Sequence, residues 1–388
     1  MATLPPYASC STLPSYSLDP ALGEARLEQT PLRAPPRHQT GNYLKRSGRD
    51  VLVLTNQDSC APVPTYGRRG GIMGFVALEN RETVDEVVLK INGSMVMISE
   101  GGSLETKLID DSYTLWSSAR AHTASCPSAV PFSVVLPSRF QDDQHISHPL
   151  PPTYSLTIPQ FFFRVSYSIS VVIVRRQFQI LNRIKTISTK FNYCPRSSPP
   201  MPIQSTSDFF SDLKTMPEEW RQVISPVAPR SRASVQPLNL HLFLPSAGTF
   251  GLTDSIPIHI QLTGPATSLQ MFLPASSGDA DVPVSATLTR QVFVNLNGRS
   301  KSTQRFVIGH AKLTAHPPQP NEFEASLDWG GVLTCSNPET LVGMFDVGCV
   351  RIQDFVAVDL RPRDVLKYGN MRVLHPIRLV TDSWFVPS

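Results

Sequence analysis

The most regular pattern of apolar and polar positions lies between Ala129 and Arg176. PFSVVLP at 131–137 is an apolar run closed by proline on both sides; a polar loop follows, then LPPTY at 150–154 and FFFRVSYSISVVIVRR at 161–176. From Phe163 the last run alternates, with Phe163, Val165, Tyr167, Ile169 and Val171 on one side and Arg164, Ser166, Ser168 and Ser170 on the other. Period two in β-branched and aromatic residues predicts a strand with one buried face.

The same pattern starts at Asp50 with VLVLTNQ and continues through GIMGFVALEN, where Gly70, Gly71 and Gly74 mark a turn and close packing. In VDEVVLKINGSMVMISEGG, the Asn92-Gly93 pair between two β-rich runs predicts a hairpin turn. YTLWSSARA follows, and past Arg176 the segment QFQILNRIKTISTKFNYCPRSSPPMP predicts a last strand leading into a hinge. MPEEWRQV at 216–223 predicts a short helix with Pro217 in its first turn. A second block from Leu238 to Trp384 has six strand-like runs separated by Gly, Pro, Asn or Asp, the rhythm of a sandwich.

The length of 388 residues is too great for one ordinary core. The expected fold is therefore all-β, two antiparallel immunoglobulin-like sandwiches in tandem. Residues 1–48 form a disordered proline-rich tail, 49–196 the first sandwich, 197–236 a hinge or connector, and 237–388 the second sandwich. Low charge, 17%, and 36 prolines agree with many short strands and little helix.

A net charge of +4 is too small to argue for nucleic acid, but its distribution matters. No Asp or Glu occurs from Gln144 to Ser207, a stretch that holds Arg164, Arg175, Arg176, Arg183, Lys185, Lys190 and Arg196. Of these, Arg175, Arg176, Arg183, Lys185 and Lys190 are candidates for contact with acidic lipid headgroups or phosphates. The competing reading is solvated strand edges, where cations discourage aggregation.

Six scattered cysteines without a C-x-x-C pair argue against a zinc ribbon and give no disulfide framework. The amino terminus lacks the apolar core of a signal peptide, and arginine breaks the longest apolar runs short of about 18 residues. A reducing, cytosolic setting is the expectation. There is no G-x-S-x-G, G-x-x-x-x-G-K-[ST], H-E-x-x-H or strand-borne G-x-G-x-x-G. Asp142, Asp143, His145 and His148 are the one dense set of potential metal ligands, and DDQHISH reads as a solvated loop rather than a zinc site. His259, His310 and His375 read as strand residues with hydrogen-bond partners, and Arg305 and Arg351 as facing water. No catalytic residue, cofactor or metal is expected.

Two short motifs remain in the tail: Leu4-Pro5-Pro6-Tyr7, and Leu13-Pro14-Ser15-Tyr16. Both fit L-P-x-Y, a variant of the P-P-x-Y peptide that WW domains bind. Proline pre-sets an extended turn and the tyrosine fills a neighbouring pocket, so ordering costs little. Leu4, Pro5, Pro6, Tyr7, Leu13, Pro14 and Tyr16 are the candidate WW-ligand residues. Pro151-Pro152-Thr153-Tyr154 is a full P-P-x-Y.

Several of these segments together resemble fungal arrestin-like proteins. Pro131-Phe132, Leu136-Pro137 and Leu150 to Tyr154 are similar to the FPFxxxLP and LPPS(F/Y) elements of the amino-terminal arrestin domain. Gly74 to Glu79 fits its GxVxLE strand, and Val84 to Gly93 the run after it. Phe191 to Arg196 with Ser198-Pro199-Pro200 resembles the interdomain Y-x-P-R-x-R-P-P segment, with Ser198 replacing its second arginine. Leu374 to Asp382 resembles the terminal strand of the second domain. The resemblance also implies that Pro151-Pro152-Thr153-Tyr154 starts a core strand, with Tyr154 partly buried and unavailable to a WW domain.

The resemblance implies a non-catalytic cytosolic adaptor, at the periphery of the plasma membrane or endosomes. Its partners would be transporter or receptor tails and a WW-domain ubiquitin ligase, with an anionic membrane surface as a further contact. Its alternatives are an arrestin-fold scaffold or vesicle-sorting subunit without a ligase role and, from another class, an enzyme using an interdomain cleft.

Overall fold

The computed structural model describes residues 41–58, 61–100, 102–120, 125–177, 181–203, 208–231, 233–273, 283–296, 299–316, 325–338 and 341–384. In the amino-terminal half a four-stranded sheet runs in the order β1 (Gly41–Ser47), β2 (Asp50–Gln57), β4 (Gly71–Ala77), β7 (Ala129–Val135). A six-stranded sheet runs β3 (Thr65–Tyr66), β12 (Leu181–Tyr193), β11 (Phe161–Gln177), β5 (Val84–Ser99), β6 (Gly102–Ser117), with β10 (Tyr154–Ile158) paired to β11. β8 (Arg139–Gln141) and β9 (Ser147–Pro149) form a separate small hairpin.

The alternation read from the sequence is what joins the two sheets. Phe163, Val165, Tyr167, Ile169 and Val171 of β11 are all buried, and Leu89 and Ile91 of β5 lie in the same apolar cluster. Leu52, Leu54, Ile72 and Val76 complete that cluster from the smaller sheet, so two sheets close over one core as in a sandwich.

Asn92-Gly93 is not a turn. β5 runs unbroken from Val84 to Ser99, and reversal into β6 comes at Glu100 to Gly102, where Gly102 takes φ 126°. A Cβ on Gly93 would lie 2.7 Å from the Tyr167 ring, and the β5–β6 register slips between Gly93 and Ser94. The glycine therefore permits a close approach and a bulge within a strand.

Two expected boundaries also shift. The tail was expected to reach residue 48, yet Gly41–Ser47 forms β1, paired antiparallel to β2; Leu44, Lys45 and Arg46 are exposed there, so no amphipathic pattern marks the strand. The expected connector contains α1 (Phe209–Thr215) and, after a single 3-10 turn at Pro217–Glu219, the strand β13 (Trp220–Val227). The short helix read at 216–223 is thus one turn long, because Trp220 onward pairs with the next strand.

The carboxy-terminal half is one nine-stranded sheet in the order β13, β14 (Leu238–Pro245), β16 (Ile256–Gly264), β19 (Ala325–Cys335), β18 (Arg299–His316), β17 (Val284–Leu296), β20 (Val350–Leu360), β21 (Met371–Val380), β15 (Thr249–Gly251). β13 comes close to β21, so the sheet curls around its own core, and the short helix α2 (Ala266–Leu269) packs on β16 and β19. Leu240, Leu242, Ile258, Ile260, Leu288 and Val356 belong to this core.

β17 and β20 serve both cores. Their outer ends place Val284, Ala286, Leu288, Val356, Val358 and Leu360 in the carboxy-terminal cluster. Their other ends place Val292, Val294, Val350 and Ile352 in the amino-terminal cluster. Residues Gly41 to Trp384 accordingly belong to one compact unit.

Candidate functional site

The five cations singled out in the sequence do not form one free surface. Asp50, whose side chain is 4% exposed, is held by Arg175 Nη2 and Lys185 Nζ, each at 2.7 Å, and its Oδ1 also accepts the Glu79 amide at 3.0 Å. This buried carboxylate ties β2 to β11 and β12, and spends two of the five charges inside the protein. Arg176 pairs with Asp85 at 2.7 Å, with Ser118 also bonded to that carboxylate. The bonds from Arg176 and Ser118 hold the Asp85 carboxyl below its ordinary value.

Arg183 and Lys190 are exposed and have no ion-pair partner among the described residues. They flank the outer edge of β12, which β3 covers only at Asn192 and Tyr193. Beside that edge lies β1, joined to it by Tyr43 Oη and Thr189 Oγ1 at 3.0 Å and by Lys185 Nζ on the Ser47 carbonyl. β1 adds the exposed Lys45 and Arg46 and two apolar side chains stand nearby, Leu44 at 52% exposed and Ile184 at 66%. Along β12 Arg183 shares the face of Lys185, while Ile184 and Lys190 lie on the opposite face. The four cations and two aliphatic groups thus border one strand edge rather than share one face, and that edge is the candidate interaction surface. The sequence missed Lys45 and Arg46 because β1 fell within the expected tail.

Potential reaction chemistry is spent elsewhere in the fold. In DDQHISH, Asp142 Oδ2 pairs with His148 Nε2 at 2.9 Å, while its Oδ1 accepts the amides of Gln144 and Ile146 at 3.0 and 2.8 Å. Among the described residues no three His, Cys, Asp or Glu side chains are grouped to hold a metal ion. Burial pushes the thiols of Cys126, Cys335 and Cys349 up to about 11, far from a reactive thiolate at neutral pH. Arg305 and Arg351 are exposed, the latter over the Phe293 ring at 4.9 Å, and His310 is exposed. His375 is buried, and burial, with Arg221 nearby, lowers its pKa.

A second His–carboxylate pair, His259 and Asp328 between β16 and β19, has a serine nearby, and both members of the pair are buried. His259 Nε2 and Asp328 Oδ1 are 2.9 Å apart, Gln261 Nε2 bonds the same oxygen at 2.9 Å, and Ser326 Oγ donates to Oδ2 at 2.8 Å. Burial pushes Asp328 up, but these bonds outweigh it and its carboxyl sits below the ordinary value. A hydrolytic relay requires the serine on the histidine. Here both point at the aspartate, and the imidazole is 1% exposed. The arrangement is structural.

No protein-family model matches the chain, and no curated protein matches it significantly. Its function must be argued from its own residues. The candidate WW-ligand residues Leu4 to Tyr7, Leu13, Pro14 and Tyr16 lie outside the described residues. Tyr154 is half-buried between Phe163 and Phe345, with ring centroids at 6.2 and 5.6 Å, so the full P-P-x-Y belongs to the packing between the halves. Among the described residues no helix is long and apolar enough to cross a membrane.

Proposed function

We propose that the chain is a non-catalytic trafficking adaptor of the arrestin-like kind, built as two sandwiches in tandem. In this reading the tail recruits a WW-domain ubiquitin ligase through Tyr7 and Tyr16, and the strand-built body engages cytosolic tails of membrane transporters or receptors. The working place is the cytosolic periphery of the plasma membrane or endosomes. The observation that carries it is the combination of two proline–tyrosine motifs near the amino terminus with a strand-built body in which Asp50, the His259–Asp328 pair and the Cys335 thiol are held in internal contacts or buried. The order of the arrestin-like segments along the chain supports the same reading. The edge bordered by Lys45, Arg46, Arg183 and Lys190 has the charge to meet an anionic membrane.

The test is binding of the full-length chain to a panel of WW domains, beside the double variant Tyr7→Ala/Tyr16→Ala. Saturable binding lost in the double variant is the expected result. Absence of binding by the intact chain would overturn the ligase link and leave an arrestin-fold scaffold or sorting subunit that works through its folded surfaces.

A further inference from the structure

α1 lies against the outer face of the carboxy-terminal sheet and closes a slot that the sheet builds by itself. Phe209 stacks on the His259 imidazole, ring centroids 3.8 Å apart and planes 8° from parallel. It also meets Trp220 and Phe243 edge-on, both at 5.0 Å. Phe210 approaches His259 at 5.2 Å and His316 at 6.1 Å. The walls therefore come from β13, β14, β16 and β18. Those strands anchor on the opposite face through Val227, Leu240, Ile258, Ile260 and Ile308 of the core, so the walls stand without α1.

The cover is built more weakly than the walls. α1 has seven residues, shorter than a helix that persists in water without packing, and none of them is fully buried. Its one side-chain cap is the Asp208 carboxylate accepting the Phe210 amide at 3.2 Å. The closed contact also leaves polar atoms unmatched: Trp220 Nε1 and His259 Nδ1 in the walls and Asp212 Oδ2 on the helix are buried without a protein partner. Buried polar groups are nearly always paired, so an occupant that pairs these atoms has an advantage over the present one. Met216, at φ −140° and ψ 59°, breaks the backbone between α1 and the 3-10 turn before β13.

We propose that α1 is a displaceable strap and that the slot beneath it is a binding site for a partner segment carrying two adjacent aromatic side chains. Phe209 and Phe210 show the shape the slot accepts. The partner's gain comes from a hydrogen-bond acceptor for Trp220 Nε1 and a polar group for His259 Nδ1. This site does not depend on the arrestin-like reading or on the tail.

The probe is a peptide of residues 208–216, DFFSDLKTM, titrated against the full chain and against the Phe209→Ala/Phe210→Ala variant. The variant, with its slot open, is expected to bind at least about tenfold tighter than the unmodified chain, whose strap competes. A peptide with both phenylalanines replaced by alanine should not bind. Equal affinity for the two proteins, no binding to a variant whose thermal melt shows it folded, or retained binding of the alanine peptide would each overturn the proposal. Should the variant fail to fold, hydrogen exchange on the unmodified chain decides. Amides of Phe209–Thr215 should exchange at least about a hundredfold faster than those of Ile256–Gly264, as a locally opening segment does, and equal protection would refute a displaceable strap.

Discussion

β11 and the β17–β20 pair are both long strand systems, yet their apolar rows behave differently. In β11 the row Phe163, Val165, Tyr167, Ile169, Val171, Ile173 is unbroken and lies in a single core. Across β17 and β20 the paired positions are Val284–Leu360, Ala286–Val358, Leu288–Val356, Arg290–Asp354, Val292–Ile352 and Val294–Val350. One charged pair interrupts an otherwise apolar ladder. It lies where the carboxy-terminal core ends and the amino-terminal core begins. Arg290 Nε and Nη2 reach the two carboxylate oxygens of Asp354 at 2.7 and 2.9 Å, and both side chains are buried. A charge inside an apolar row, matched in register by its opposite, marks a seam between two cores rather than the end of a strand.

The strongest way to break that contrast is Arg290→Ala. It leaves Asp354 buried without its partner and should cost about 3–5 kcal/mol, whereas Arg290→Met combined with Asp354→Leu should be close to neutral. Urea unfolding of the three proteins checks it. A loss below about 1 kcal/mol for the single variant would mean that water reaches the seam and that the two cores are separate.

The difference between these regions also explains what the sequence could reveal. Local periodicity exposed β11 and the all-β class, because each depends on residues a few positions apart, whereas Tyr154 packs against Phe345, far along the chain. Arg290 and Asp354 are 64 residues apart, and Asp50 is 125 from Arg175, so no window along the chain joins them. Two of the five proposed anion-binding cations, Arg175 and Lys185, were claimed by that distant carboxylate, and Arg176 by Asp85, 91 residues away. Phe209-Phe210 was passed over because Asp208, Ser211 and Asp212 around it have the composition of a connector. Asn92-Gly93 misled for the opposite reason: the dipeptide has turn chemistry, but the ring of Tyr167 across the sheet needs the missing Cβ.

Gly93→Ala sharpens the β11 side of the comparison. Its methyl would meet Tyr167, whose hydroxyl is fixed by donating to the Pro151 carbonyl at 2.6 Å, so the ring has little freedom to withdraw. Overpacking of this kind should cost about 1–3 kcal/mol in urea unfolding. Gly71→Ala is the control, since a Cβ there would meet only Met73 Cγ at 4.0 Å, an ordinary contact. If Gly93→Ala were neutral, the unbroken row of β11 would be looser than its burial suggests.

The smallest expected effect concerns a surface link between the halves. Past β12, Arg196 Nε bonds Asp382 Oδ1 at 2.9 Å, and the Ser197 amide donates to Thr381 Oγ1 at 2.8 Å. Bonds from Arg196 to Asp382 raise the arginine's pKa, so the guanidinium stays charged. The Arg196 side chain is nevertheless 67% exposed, and an ion pair so open to water contributes at most about 1 kcal/mol. If the shared ladder of β17 and β20 is what couples the halves, Arg196→Ala should lower stability by no more than that and leave a single calorimetric transition. A transition that splits in two on losing this surface contact would show that the linker, not the seam, makes the halves unfold together.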